Sequence, residues 1–375
     1  MTTITIDPAV RAAACAIAVP RAAPADSFVL HAPLELLARV GLLEHVHPSS
    51  LDAALRAIAD LGTAYEATGP AVVAPPAGAF ASAPAAAVAV DAAIRAGDAD
   101  GADAAMIWLT DHADLATVRR LLARAIVDSL AAAGHAPIGL HLLPLVAGGA
   151  MPASLLRGAV RTIASRPQWR VTWFHSARVD APAVSTSMAA ALAAVPRLGR
   201  PGSDFIFPLM SQVQDSGVAA EVLTPVTGPG ADVAAGGRAL VRAATWSMLH
   251  DDPTQAPYGW THCLTMPQAV LSLAGDGVDE RTVLAVAATY VAGFRAAHGT
   301  VALGSLDDDA GERVSASAPV VGDLATFAAL HHDAHLVKYT LACIHAAAAD
   351  PAWAGTHLRA AAFLADWWRA HPDAG

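Results

Sequence analysis

The sequence predicts a mostly α-helical, multi-helix domain with few short strands, on three observations. Ala, the best helix former, is abundant along the 375 residues. It is interleaved with Leu, Val and Ile at spacings of three and four, the period of an amphipathic helix. Alternating runs rich in β-branched residues, the mark of a strand, are few. A chain of this length can bury a large core without a disulfide framework, and the reading is one domain over 1–375.

The elements follow in order. Helices are expected near 31–45, 152–165, 234–250, 279–297, 321–349 and 353–370, each carrying an apolar stripe. Ser49 or Ser50 can cap a further helix with Leu51, Ala54, Leu55, Ile58 and Leu61 on one face, ending before or a little beyond Gly62. Asp114 opens another that carries Val118, Leu122, Ile126 and Leu130 and closes at Gly134. The best strand signal is 169–174, which also reads as a short extended connector. Pro and Gly cluster near 69–84, 196–203 and 225–237, which are predicted as connections, the first rich in Pro and Ala and poorly ordered.

Composition then excludes several functions. With 23 basic against 33 acidic side chains, a net charge of −10, the chain lacks the electrostatic footprint of a nucleic-acid or anionic-membrane binder. No uninterrupted apolar run of about 18 residues occurs, so no membrane span is expected. The apolar stretch 12–19 lies between Arg11 and Arg21 like a faint signal peptide, but Asp7 and Pro20 fit that poorly. Three scattered cysteines, Cys15, Cys263 and Cys343, without a CxxC pair, point to a reducing, cytoplasmic setting. Neither a GxGxxG fingerprint after a strand, nor a phosphate loop, nor a GxSxG elbow is present.

Sixteen histidines are a surplus. Residues three, four and seven apart share a helix face, so in the segment 321–349 His331, His335, Lys338 and His345 fall close to one line, on a helix that Asp323 can cap. A single histidine is more often a hydrogen-bonded core or surface residue than a ligand. A cluster with a His pair at four-residue spacing is another matter, because it can aim two imidazoles at one zinc, iron, copper or nickel ion. Lys338 is the only lysine among the 23 basic residues. Arg is the default cation of this chain, so a position that keeps Lys is one where a side chain able to lose its proton is required. Deprotonating a free lysine at pH 7 costs about 4–5 kcal/mol. A metal can supply that, or the amine can react with carbon dioxide to give an anionic carbamate ligand.

Four segments, in order, resemble the questin oxidase-like family, whose fungal members oxidise and open aromatic polyketide rings. SFVLHAPLELLARVGL supplies His31. GHAPIGLHLL supplies His135, followed after two residues by Ile138, with His141 competing for the role because Gly139 stands where some members carry a basic residue or His. YGWTHCLTMPQAVLSL supplies His262 and Thr265. HDAHLVKYTLACIHAA, with the later LRAAAFLADW, supplies His335 and Lys338 and is the most specific of the four. The segment 176–233 matches nothing in the family.

The resemblance implies a central cavity holding non-haem iron, ligated by His31, His135, His262, His335 and Lys338, with the lysine free or carboxylated and with Lys338 and His335 also carrying catalysis. Glu35, one turn after His31, and Asp333 are candidates to orient an imidazole through its other nitrogen. Trp246, Trp260 and Phe327 read first as core and second as pocket walls. The implied reaction is oxygenation of an aromatic or quinone-like molecule by dioxygen, either Baeyer–Villiger-like or dioxygenase, with NADPH as a candidate reductant. The competing readings are a metal-dependent hydrolase using a carboxylated lysine, against which stands the lack of an HxH strand motif, and a non-catalytic helical binding protein.

Overall fold

Helix after helix begins where a short polar side chain takes up the free amides of the first turn. Asp7, Asp26, Ser82, Asp98, Asp114, Ser187, Asp232, Asp279 and Asp333 each accept from a backbone N–H two or three residues on. The computed structural model describes residues 6–22, 26–76, 78, 80–176, 186–199, 206–303, 306 and 319–372. These residues form eighteen α-helices and two isolated β-bridges, Arg21 with Ala71 and Ser129 with Arg170, so the mostly helical expectation holds. No described helix is long and apolar enough to cross a membrane.

The chain groups into two compact units, the first of 1–170 with 276–278 and the second of 171–275 with 279–375. The first unit holds α1 (Pro8–Ile17), α2 (Ser27–Leu42), α3 (Leu51–Glu66), α4 (Ala83–Ala96), α5 (Ala99–His112), α6 (Leu115–Ile126), α7 (His135–Leu145) and α8 (Arg157–Ser165). Within it α1 packs on α3, α4 on α5, α5 on α8, and α2 on both α3 and α7. The α1–α3 approach depends on Gly62, where an added Cβ would come within 2.9 Å of the Ala13 Cα. A buried Arg157–Asp103 pair, Nε to Oδ1 2.6 Å, joins α8 to α5.

The second unit holds α9 (Trp173–Ser176), α10 (Met188–Ala193), α11 (Ile206–Asp215), α12 (Val218–Thr227), α13 (Val233–His250), α14 (Thr261–Leu271), α15 (Glu280–His298), α16 (Val321–Leu330), α17 (Ala334–Ala349) and α18 (Ala354–Ala370). Its centre is α15, buried on every side from Val283 to His298 and packed by α11, α12, α13 and α14. A helix apolar all round is a core helix, and the many Ala residues of α15 let its neighbours come close. Arg242 on α13 grips Asp350 through Nε at 2.6 Å and Nη2 at 3.0 Å.

Four local expectations need correction. The 321–349 helix is two helices, broken at 331–333, because Asp333 caps α17 by accepting from the His335 and Leu336 amides. Asp323 sits inside the first turn of α16, whose N-cap is Val320, and His331 lies off the α17 face. The helix opened by Asp114 stops at Ile126, and Leu130 lies beyond it in the approach to a separate 3-10 turn, Ala131–Gly134. The 169–174 segment makes no strand: one bridge forms at Arg170, and the chain then turns into α9, whose first amides, Thr172 and Trp173, donate to the Gln214 side-chain oxygen. Finally, Ser50 precedes α3 without a side-chain cap, since a 3-10 turn, Pro48–Ser50, leads into the helix directly. Of the Pro/Ala-rich connection, 72–76 runs without regular structure and α4 begins at Ala83, while Ala77 and Ala79 lie outside the described residues.

Candidate metal centre

In the second unit a single π-helical turn, Ala256–Trp260, runs straight into α14. Such turns widen the backbone and are frequent at functional sites. Here the turn presents the Tyr258 carbonyl to His262, whose Nδ1 lies 2.5 Å from it. A carbonyl only accepts, so Nδ1 carries the proton and Nε2 keeps its lone pair. His262 is buried, and so is His335 at the start of α17, with the two ring centroids 5.1 Å apart. His335 is held from behind by Asp333, whose Oδ2 is 3.4 Å from Nδ1 while Oδ1 caps the helix. Carboxylate support of this kind fixes the tautomer and ring direction of a metal-binding histidine.

Lys338, one turn along α17 from His335, is 4% exposed. Burial first, and then the neighbouring His335 and Lys338, hold His262 well below the ordinary histidine range. Burial and Lys338 do the same to His335. Both imidazoles are therefore neutral at pH 7, the form in which they donate to a metal. Burial pushes the Asp333 carboxyl up, against the amides of Leu336 and His335 and the charge of Lys338. The Tyr258 ring stands edge-on to His335 at 5.0 Å and is 48% exposed, so it flanks this group on the solvent side.

In the first unit, His31 on α2 and His135 at the first position of α7 pack together with ring centroids 4.5 Å apart. His31 Nδ1 donates to the Ser27 carbonyl at 2.6 Å, which again leaves Nε2 as the lone-pair nitrogen. His135 is 3% exposed, and it follows a left-handed turn in which Ala132, Ala133 and Gly134 all have positive φ. His141, six residues on, is only half-buried. Glu35 is engaged by Arg39 through Nε at 2.8 Å and Nη2 at 2.6 Å in a buried pair along α2.

The other residues singled out in the sequence have ordinary placements. Thr265 donates to the Thr261 carbonyl within its own helix. Trp260 is fully buried core beside Phe294. Trp246 lies against His250, and Phe327 lies under the Arg369 guanidinium at 4.1 Å. His345 on α17 is half-buried. The residue that pattern reading missed is Tyr258, because its backbone carbonyl does the work; the only sequence signal is its spacing of four before His262.

The donors fit a first-row transition ion: neutral imidazoles with fixed tautomers suit iron, zinc, copper or nickel, and Lys338 can add either a neutral amine or, as a carbamate, an anionic oxygen. No family model, curated protein or solved structure matches the chain.

Proposed function

We propose that the chain is a non-haem iron oxygenase of the questin oxidase-like kind, acting on an aromatic or quinone-like small molecule. The observation that carries this reading is the second-unit group, where two buried, neutral imidazoles with committed Nδ1 atoms stand beside the buried and only lysine of the chain. A structural role for these residues would not call for a lysine in place of the Arg used at every other cationic position. The ligand set of this proposal is His262, His335 and Lys338.

Iron bound there would supply the redox chemistry toward dioxygen and the aromatic ring. The chain's own residues would do the rest. Asp333 holds the His335 ring and proton, the Tyr258 carbonyl does the same for His262, and the Tyr258 ring shields His335 from water. A Baeyer–Villiger-like insertion consumes two electrons from a reductant of the NADPH class, whereas a dioxygenase consumes none. The ratio of NADPH to oxygen consumed distinguishes them.

The test is metal analysis of protein purified without added metal, together with oxygen uptake on naphthoquinone- and anthraquinone-type compounds. About one iron per chain is expected, lost in His262→Ala while a cooperative melting transition is still present. Zinc in place of iron with no oxygen uptake would turn the reading to a hydrolase.

A further inference from the structure

The first unit encloses a cavity of about 220 Å³ between α1, α2, α3, α7 and α8. One side is apolar, formed by Ile17, Leu30, Leu34 and Leu156. The other carries two guanidinium groups, Arg21 and Arg161, and among the described residues no carboxylate lines the cavity. Arg161 is already neutralised by Asp100 at 2.8 Å and Asp103 at 3.4 Å. Arg21 takes part in no ion pair among the described residues; it lies over the Tyr65 ring, 5.2 Å from its centroid. The Arg21 Nε is shielded from solvent and meets no acceptor. Arg21 is half-buried, and its shielded, unpaired N–H beside an apolar surface offers a carboxylate or phenolate a charge-assisted hydrogen bond.

We propose that this cavity binds an anionic aromatic molecule of one or two rings, with the ring among the leucines and the anionic group on Arg21. Size sets the ring count, since pockets for drug-sized ligands run to roughly 300–1,000 Å³ and this one is smaller. His135 is on the cavity wall, where the ring would meet an imidazole. That the ligand is the oxygenase substrate rests on the function proposed above. That it binds does not.

The test uses full-length, metal-free protein titrated calorimetrically with 2-naphthoate and with its neutral isostere 2-naphthamide. The wild type is expected to prefer the acid by about tenfold or more. Arg21→Gln is expected to abolish that preference. Gly158→Leu is the control for location: Gly158 lines the cavity on α8, an added Cβ there meets nothing within 4 Å, and replacing a helical glycine favours the helix. It should keep the wild-type melting transition and bind neither compound. Equal affinity of the wild type for acid and amide, absence of binding, or unchanged binding in Gly158→Leu would each overturn the proposal. Because no metal is present, a failure here is separate from a failure to find iron, and the wild-type comparison decides even where Arg21→Gln does not fold.

Discussion

At the residue scale, composition and chemistry meet in Lys338. Arg could keep its charge there but could neither lose a proton nor take up carbon dioxide. Lys338→Arg is therefore expected to fold and to lose iron and turnover by a large factor, as read by metal analysis and oxygen uptake. A lysine without such a role would tolerate the change to within about 0.5 kcal/mol and leave metal content alone. Lys338 and His335 were legible in the sequence from residue type and helical spacing, and His262 only through the family resemblance of its segment. Tyr258 was not, because it acts through a backbone carbonyl, which every residue offers, as the Ser27 carbonyl does for His31.

At the scale of elements, the break at 331–333 gives Asp333 two tasks that substitution separates. Its Oδ1 caps α17 and its Oδ2 faces the His335 Nδ1. Asp333→Asn keeps a capping oxygen but sets an amide donor against Nδ1, which favours the proton on Nε2, where the lone pair is needed. Thermal stability should stay near wild type while metal affinity falls about 10–100-fold. Asp333→Ala should lose about 1 kcal/mol of stability as well. The turn before α7 offers an opposite case: Ala133 holds φ 53°, a conformation that costs an L-residue about 1–2 kcal/mol and glycine nearly nothing. Ala133→Gly should raise the denaturant midpoint by an amount worth about 1 kcal/mol. Gly62→Ala should do the reverse, because its Cβ would press on the Ala13 backbone; a loss of about 1–3 kcal/mol is expected.

At the scale of the whole molecule, acid stability is governed by buried carboxylates such as Asp350. Burial works to raise this carboxyl, but the nearby His357, 3.8 Å away, and the hydrogen bonds and charge of Arg242 outweigh it and hold the group well below the usual carboxylate range. A group depressed in the folded state binds its proton first in the unfolded one, so it stabilises the fold above about pH 4. That contribution is lost as pH falls from there toward the folded-state value. Chemical denaturation between pH 7 and 2 should show stability dropping through this window, and Asp350→Asn should give a shallower drop from a lower starting stability. On the proposed function, iron would add to stability by mass action, by about 2.7 kcal/mol at a hundredfold excess over its dissociation constant. Chelation should accordingly lower the melting temperature, and by less in His262→Ala.

The sequence by itself determined the helical class, the starts of several helices, and His335 and Lys338 as residues worth locating. These depend on propensity, capping and a period of 3.6, all of which act between residues within about a turn of one another. The tertiary structure decided that the rings of His262 and His335 meet, and that Arg21, Tyr65, His135 and Gly158 line one cavity. Those outcomes depend on groups that approach only after helices have packed, and the spacing of residues along a chain carries no record of the direction from which a distant side chain will arrive.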